Sequence, residues 1–157
     1  MASPVTVTFE TVPLDSAWQA KVDRLKSSPG VGRVFFGPVV EDPSKGVVSA
    51  VWSSAPPAEA TTGDDVLTFE FPGPVEAAFE APTTEIFTAF GAESSFYGNL
   101  KLFAAKIDEE PPKTGYFANA VGKNQGGDVL RLLIGWSSVQ AHLDAKATPG
   151  GTYTNCS

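Results

Sequence analysis

Residues 5–12, VTVTFETV, set Val5, Val7 and Phe9 against Thr6, Thr8 and Glu10, a period of two that predicts a half-buried strand. Trp18, Val22 and Leu25 then recur at helical spacing, with Asp15 or Ser16 placed to cap the helix and Pro29-Gly30 to stop it. VGRVFFGPVV (31–40) and GVVSAVWSS (46–54) read as two further strands, joined through the turn EDPSKG. The stretch from Ala55 to Pro82 holds five of the 13 prolines, so only a short irregular helix fits before the alternating strand LTFEF (67–71).

Regular patterning resumes at TTEIFTAF (83–90), a strand. It is followed by SSFYGNLKLFAAKIDEE (94–110), a helix with Phe96, Leu100, Phe103 and Ile107 on one face. TGYFANAVG (114–122) and DVLRLLIGWSS (128–138) are strands around the turn KNQGG. A last short helix, capped by Ser137 or Ser138, is expected to end near TPGG, and the tail TYTNCS carries no assignment.

The pattern repeats. VSAVWSS (48–54) and LLIGWSS (132–138) are both apolar strands ending in Trp-Ser-Ser, and Trp136 follows Trp52 by 84 positions. The elements before them match at a similar offset, 78 positions if Val5 corresponds to Thr83. Each half reads strand, helix, strand, strand, weak helix, the order of a ferredoxin-like βαββαβ unit with helices on one face of an antiparallel sheet. The chain is therefore expected to be α+β, with a first half over 1–74 and a second over 75–157, the two sheets sharing a core.

Composition narrows the function. A net charge of −7 and a pI near 4.6 argue against nucleic acid or an anionic membrane as partner. The single cysteine, Cys156, leaves no internal disulfide, and neither a signal peptide nor a membrane span is evident, so a cytoplasmic location is expected. One histidine and one cysteine do not make a conventional metal site, so no metal is expected. A P-loop, a G-x-S-x-G elbow and any flavin or nicotinamide signature are absent, and the expectation is no cofactor.

The run APTTEIFTAF…NLKLFAAKI…GYFANAVG…LLIGWSSVQAHLDA resembles the dimeric α+β barrel superfamily, in particular its antibiotic-biosynthesis-monooxygenase-like branch of small fungal proteins. GWSSVQAH is its most specific part, and the resemblance covers 82–146 well and 4–72 only in outline. It implies that the sheets close into a barrel, which here one chain would supply as a monomeric pseudo-dimer, with a homodimer also possible. It further implies a cofactor-independent enzyme of secondary metabolism: a cyclase, isomerase or dehydratase acting on an apolar polyketide or terpenoid intermediate. A cofactor-free monooxygenase and a non-catalytic ligand-binding or stress-response protein are the alternatives. Because related barrels bind haem, haem ligation by His142 is a further one.

On the last strand Trp136 shares parity with Leu130, Leu132 and Ile134 and so faces the apolar side. His142, six positions on, shares a helix face with Val139 and Leu143 and is expected to look inward, as an acid–base residue or as a packed core histidine. Glu85 is the candidate partner that would complete an acid–base pair, if it does not face solvent. Tyr97, Asn99 and Tyr116 could hydrogen-bond a phenol or carbonyl. Phe87 and Phe103, core residues by default together with Phe90, Phe96 and Phe117, could line a flat apolar pocket with Trp136. The first half lacks the histidine and carries Pro56-Pro57 in its helix, so it is expected to be a scaffold.

Overall fold

The computed structural model describes residues 3–112 and 115–147; the end of the last helix near TPGG and the tail with Cys156 lie outside them. The elements run β1 (Val5–Pro13), α1 (Trp18–Lys26), β2 (Val31–Pro38), β3 (Lys45–Trp52), α2 (Ala58–Thr61), β4 (Val66–Phe71), α3 (Glu76–Glu80), β5 (Thr83–Phe90), α4 (Ser94–Glu109), β6 (Tyr116–Lys123), β7 (Val129–Trp136) and α5 (Val139–Ala147). The fold is α+β, with β3 and β7 each flanked by two antiparallel neighbours. Two compact units divide the chain, Pro4–Glu70 and the part that begins at Phe71.

In the Pro4–Glu70 unit the strand order is β2-β3-β1-β4, the ferredoxin-like arrangement. The alternation of β1 correctly places Val7 and Phe9 in the interior, at 0% and 2% exposure. The expected half-burial does not hold, because Thr8 is buried as well. It faces the same side as Val12, where Val22 of α1 closes a small core with Val48, Trp18 and Phe36. Trp18 stacks on Phe36 at 4.2 Å, and Lys21 of α1 pairs with Glu10 of β1. Neither Asp15 nor Ser16 is the helix cap. Ala17 holds that position, and Asp15 accepts the Ala17 amide one residue early, at 2.8 Å. The helix stops at Lys26, short of Pro29.

In the second unit β7 lies between β6 and β5. Trp136, Ile134, Leu132 and Leu130 of β7 face α4 and α5 and pack on Leu100, Ala104, Ile107, Ala141 and Ala145. Phe87, Phe96 and Phe103 join this core, but Phe90 and Phe117 do not, at 70% and 56% exposure. Phe90 is the last residue of β5, and Phe117 is skipped where β6 bulges between Tyr116 and Ala118. α3, which the proline-rich stretch concealed, packs on the other side of β7. A side chain at Gly135 would come within 2.7 Å of Ala81 Cβ and 2.9 Å of the Ala78 carbonyl, so only glycine admits this approach. On that side Arg131 is buried and donates to Thr88 Oγ1 at 2.7 and 3.1 Å, and burial pushes its guanidinium down to about 10.

The two units repeat one pattern. Trp52 ends β3 opposite Thr6 and Val31, and Trp136 ends β7 opposite Thr83 and Tyr116. Both flanking strands bulge at the next residue, between Val31 and Arg33 and between Tyr116 and Ala118. Gly30 and Gly115 precede the bulges at φ +85° and +87°, and their carbonyls accept the amides of Ser53 and Ser137 at 2.9 and 2.8 Å. The register matches Thr83 to Thr6, not Val5, so the strand offset is 77 positions, one fewer than the sequence pattern suggests.

Candidate active site

α5 brings His142 over the sheet. Ser138 caps the helix by accepting the Ala141 amide on its hydroxyl at 3.0 Å. The buried contacts of α5 are Ala141 and Ala145, small enough for the helix to lie close to β7. Leu143, expected to share the inward face, is instead 49% exposed. His142 sits at the flank of the alanine face.

Glu85 stands in mid-β5 opposite Ile134, on the face that carries Trp136. Its Oε2 accepts the Trp136 indole N–H at 3.1 Å. The same oxygen lies 2.8 Å from His142 Nδ1. Nδ1 is sealed from solvent, and its N–H direction is not aligned with that oxygen, so the contact has the length of an ion pair without the geometry of a hydrogen bond. The side chains of His142 and Glu85 keep 16% and 20% of their surface, while Trp136 is fully buried beneath them, its ring 5.6 Å from the imidazole and edge-on at 61°. A carboxylate against one imidazole nitrogen orients the ring and stabilises the imidazolium formed when the other nitrogen takes a proton.

Tyr116 meets Trp136 edge-on from β6, with centroids 6.0 Å apart. Its hydroxyl donates to the Asp108 carboxylate. Asn119 Nδ2 lies 2.7 Å from the Tyr116 oxygen, 3.2 Å from Asp108 Oδ1 and 2.9 Å from the Ala104 carbonyl, tying β6 to α4. Asp108 and Asn119 were not candidates from sequence. The available signal was an asparagine in mid-strand among apolar neighbours.

The other candidates stand on β5 and α4. Phe87 is one pleat along β5 from Glu85, opposite Leu132. Tyr97 packs under Lys101 and Lys123, whose ammonium groups stand 4.6 and 4.9 Å from its ring. Phe103 belongs to the α4 side of the core. Asn99 lines an open cavity of about 320 Å³ with Ala89, Phe90 and Phe96, at the far end of β5 from Thr83. Thus direct contacts link His142, Glu85, Trp136 and Tyr116, while Phe87, Tyr97 and Phe103 pack against the same core as Trp136. Among the described residues no three His, Cys, Asp or Glu side chains converge as metal ligands, and no helix is long and apolar enough to cross a membrane.

No protein-family model matches the sequence, and no curated protein matches it in sequence. Solved structures do match in fold. A candidate monooxygenase from Lactobacillus acidophilus aligns over 94% of this chain and 83% of its own, with a TM-score of 0.52 and 8% identity. A second candidate monooxygenase, from Fusobacterium nucleatum, aligns over 94% of this chain and 82% of its own, with a TM-score of 0.55 and 9% identity. At such identities the likeness is one of fold, and the α+β architecture of this chain is that of these two proteins.

Proposed function

We propose that the chain is a small-molecule enzyme whose second unit, 75–157 in the duplicated pattern, carries a proton-transfer site on His142, while the first, 1–74, serves as scaffold. The observation that carries the reading is the shared Glu85 oxygen, 3.1 Å from the Trp136 indole nitrogen and 2.8 Å from His142 Nδ1. With Nδ1 facing the carboxylate, the rest of the ring, which carries Nε2, holds the accessible surface. Nε2 takes a proton from carbon α to a carbonyl, and the C–H electron pair moves into the carbonyl as an enolate. Where the substrate carries a β,γ-double bond, return of the proton from the imidazolium to the γ-carbon of the dienolate isomerises it; alternatively, attack of the enolate carbon on a second carbonyl closes a ring and the imidazolium protonates the resulting alkoxide. The aromatic surroundings suit an apolar, oxygenated substrate of the polyketide or terpenoid kind, and the steps balance without a cofactor.

The names of the two fold neighbours favour a second reading, a cofactor-free monooxygenase in which the enolate or phenolate so formed reacts with dioxygen. The test uses 2-tetralone, a flat ketone with exchangeable α-hydrogens, in D2O. Protein-dependent deuterium incorporation is expected to fall by roughly 10²-fold or more in His142→Phe. Equal rates in the two proteins would contradict the reading, and dioxygen uptake dependent on His142 would favour the monooxygenase.

A further inference from the structure

The duplication supplies an internal control for Glu85. By register, Thr83 and Thr6 are equivalent, each opposite the strand-ending tryptophan, so two residues further on Glu85 corresponds to Thr8. The hydrogen bonds agree. Trp136 donates its indole N–H to Glu85 Oε2 at 3.1 Å, and Trp52 donates its own to Thr8 Oγ1 at 2.9 Å. Both tryptophans are buried, at 0% and 3% exposure. One frame thus binds its tryptophan with a hydroxyl in one copy and with a carboxylate in the other. The copies also differ six residues after the tryptophan, where the second has His142 and the first Ala58.

A hydroxyl suffices to satisfy a buried indole N–H, and a half-buried carboxylate costs more to desolvate than a hydroxyl does. The charge at Glu85 is therefore not explained by the tryptophan. What the second copy has in addition is an imidazole whose buried Nδ1 lies at ion-pair distance from the carboxylate, 2.8 Å, and has no hydrogen-bond partner among the described residues.

We infer that Glu85 is a positioning residue: it occupies the place of a structural threonine, and its carboxylate holds neutral His142 as the Nδ1–H tautomer, leaving Nε2 bare as the atom that meets the substrate. The inference rests on the proton-transfer reading for its purpose but not for its evidence, because the tautomer is measured without substrate. If the tautomer is as stated and no turnover is found, the function fails and the positioning stands. The converse result separates them equally well.

His142 is the only histidine in the chain, so long-range ¹H–¹⁵N correlation spectra report on it without ambiguity. At alkaline pH, where imidazole is neutral, the parent protein is expected to show a pyrrole-type Nδ1 and a pyridine-type Nε2. Glu85→Gln keeps an oxygen that accepts from both rings, so its spectrum is expected to retain this tautomer. Glu85→Thr, which installs the first copy's residue, is expected to fold with a melting temperature close to the parent's and to shift the proton to Nε2. A parent spectrum with Nε2–H, or a Glu85→Thr spectrum identical to the parent's, would overturn the inference. Failure of Glu85→Thr to fold would overturn it too, by showing that threonine cannot do the structural work in this copy.

Discussion

At Glu85 one oxygen meets two rings, and the variants that separate those contacts have different expected outcomes. His142→Phe retains a ring of similar shape on the alanine face of α5, so folding should persist while turnover falls by roughly 10²–10⁴-fold. Melting curves and product formation on the same sample check both halves of that statement. Trp136→Phe and Trp52→Phe each remove a buried indole N–H donor and leave a void, and each should cost about 1–3 kcal/mol in denaturant unfolding. Only Trp136→Phe should also impair turnover. Much of this cluster was legible in the sequence: a solitary histidine six positions after a strand-ending tryptophan, and a β7 parity that turned Trp136 inward. The direction of Glu85 was not, since TTEIFTAF has no strict alternation from which to choose a face. Asp108 and Asn119 were hidden for another reason. Their partnership with Tyr116 depends on where α4 crosses β6, which no local pattern encodes.

At the scale of elements, α5 sets the distance between His142 and Glu85 through Ala141 and Ala145. Ala145→Leu should force the helix off β7 at a cost of about 1–3 kcal/mol and lower turnover with it, measured by unfolding and by rate. The β2–β3 turn gives a prediction in pH. Asp42 accepts both the hydroxyl and the amide of Ser44, at 2.6 and 3.2 Å, which holds its carboxyl below the ordinary 3.8. A carboxyl lowered in the folded state contributes stability above the unfolded value and loses it as pH falls through the folded one. The turn should therefore loosen only below pH 3.8, and Ser44→Ala should return the Asp42 carboxyl resonance towards ordinary titration. The strands and α4 were read to within a few residues because their patterns are long. α3 was missed because five residues between Pro74 and Pro82 are too few to show a helical period. The exposed Phe90 and Phe117 show the limit of composition, since a strand's last residue and a bulge decide their surroundings more than their hydrophobicity does.

Over the whole molecule, the repeated Trp-Ser-Ser and the element order made the duplication legible, while the one-residue error in strand offset could be corrected only by the register opposite each tryptophan. Prolonged chelation should leave folding and turnover unchanged, since no three candidate ligands converge among the described residues; activity lost and then restored by a divalent ion would contradict the proposed chemistry. The central claim is that one frame occurs twice and works once. It is tested most directly by titrating ¹⁵N-labelled protein with 2-tetralone and following the three tryptophan indole resonances, assigned by Trp→Phe variants, beside the single histidine. The account predicts saturable shifts at Trp136 and His142, with Trp52 unmoved. Shifts of equal size at Trp52, or none at Trp136 and His142 while other resonances saturate, would contradict it.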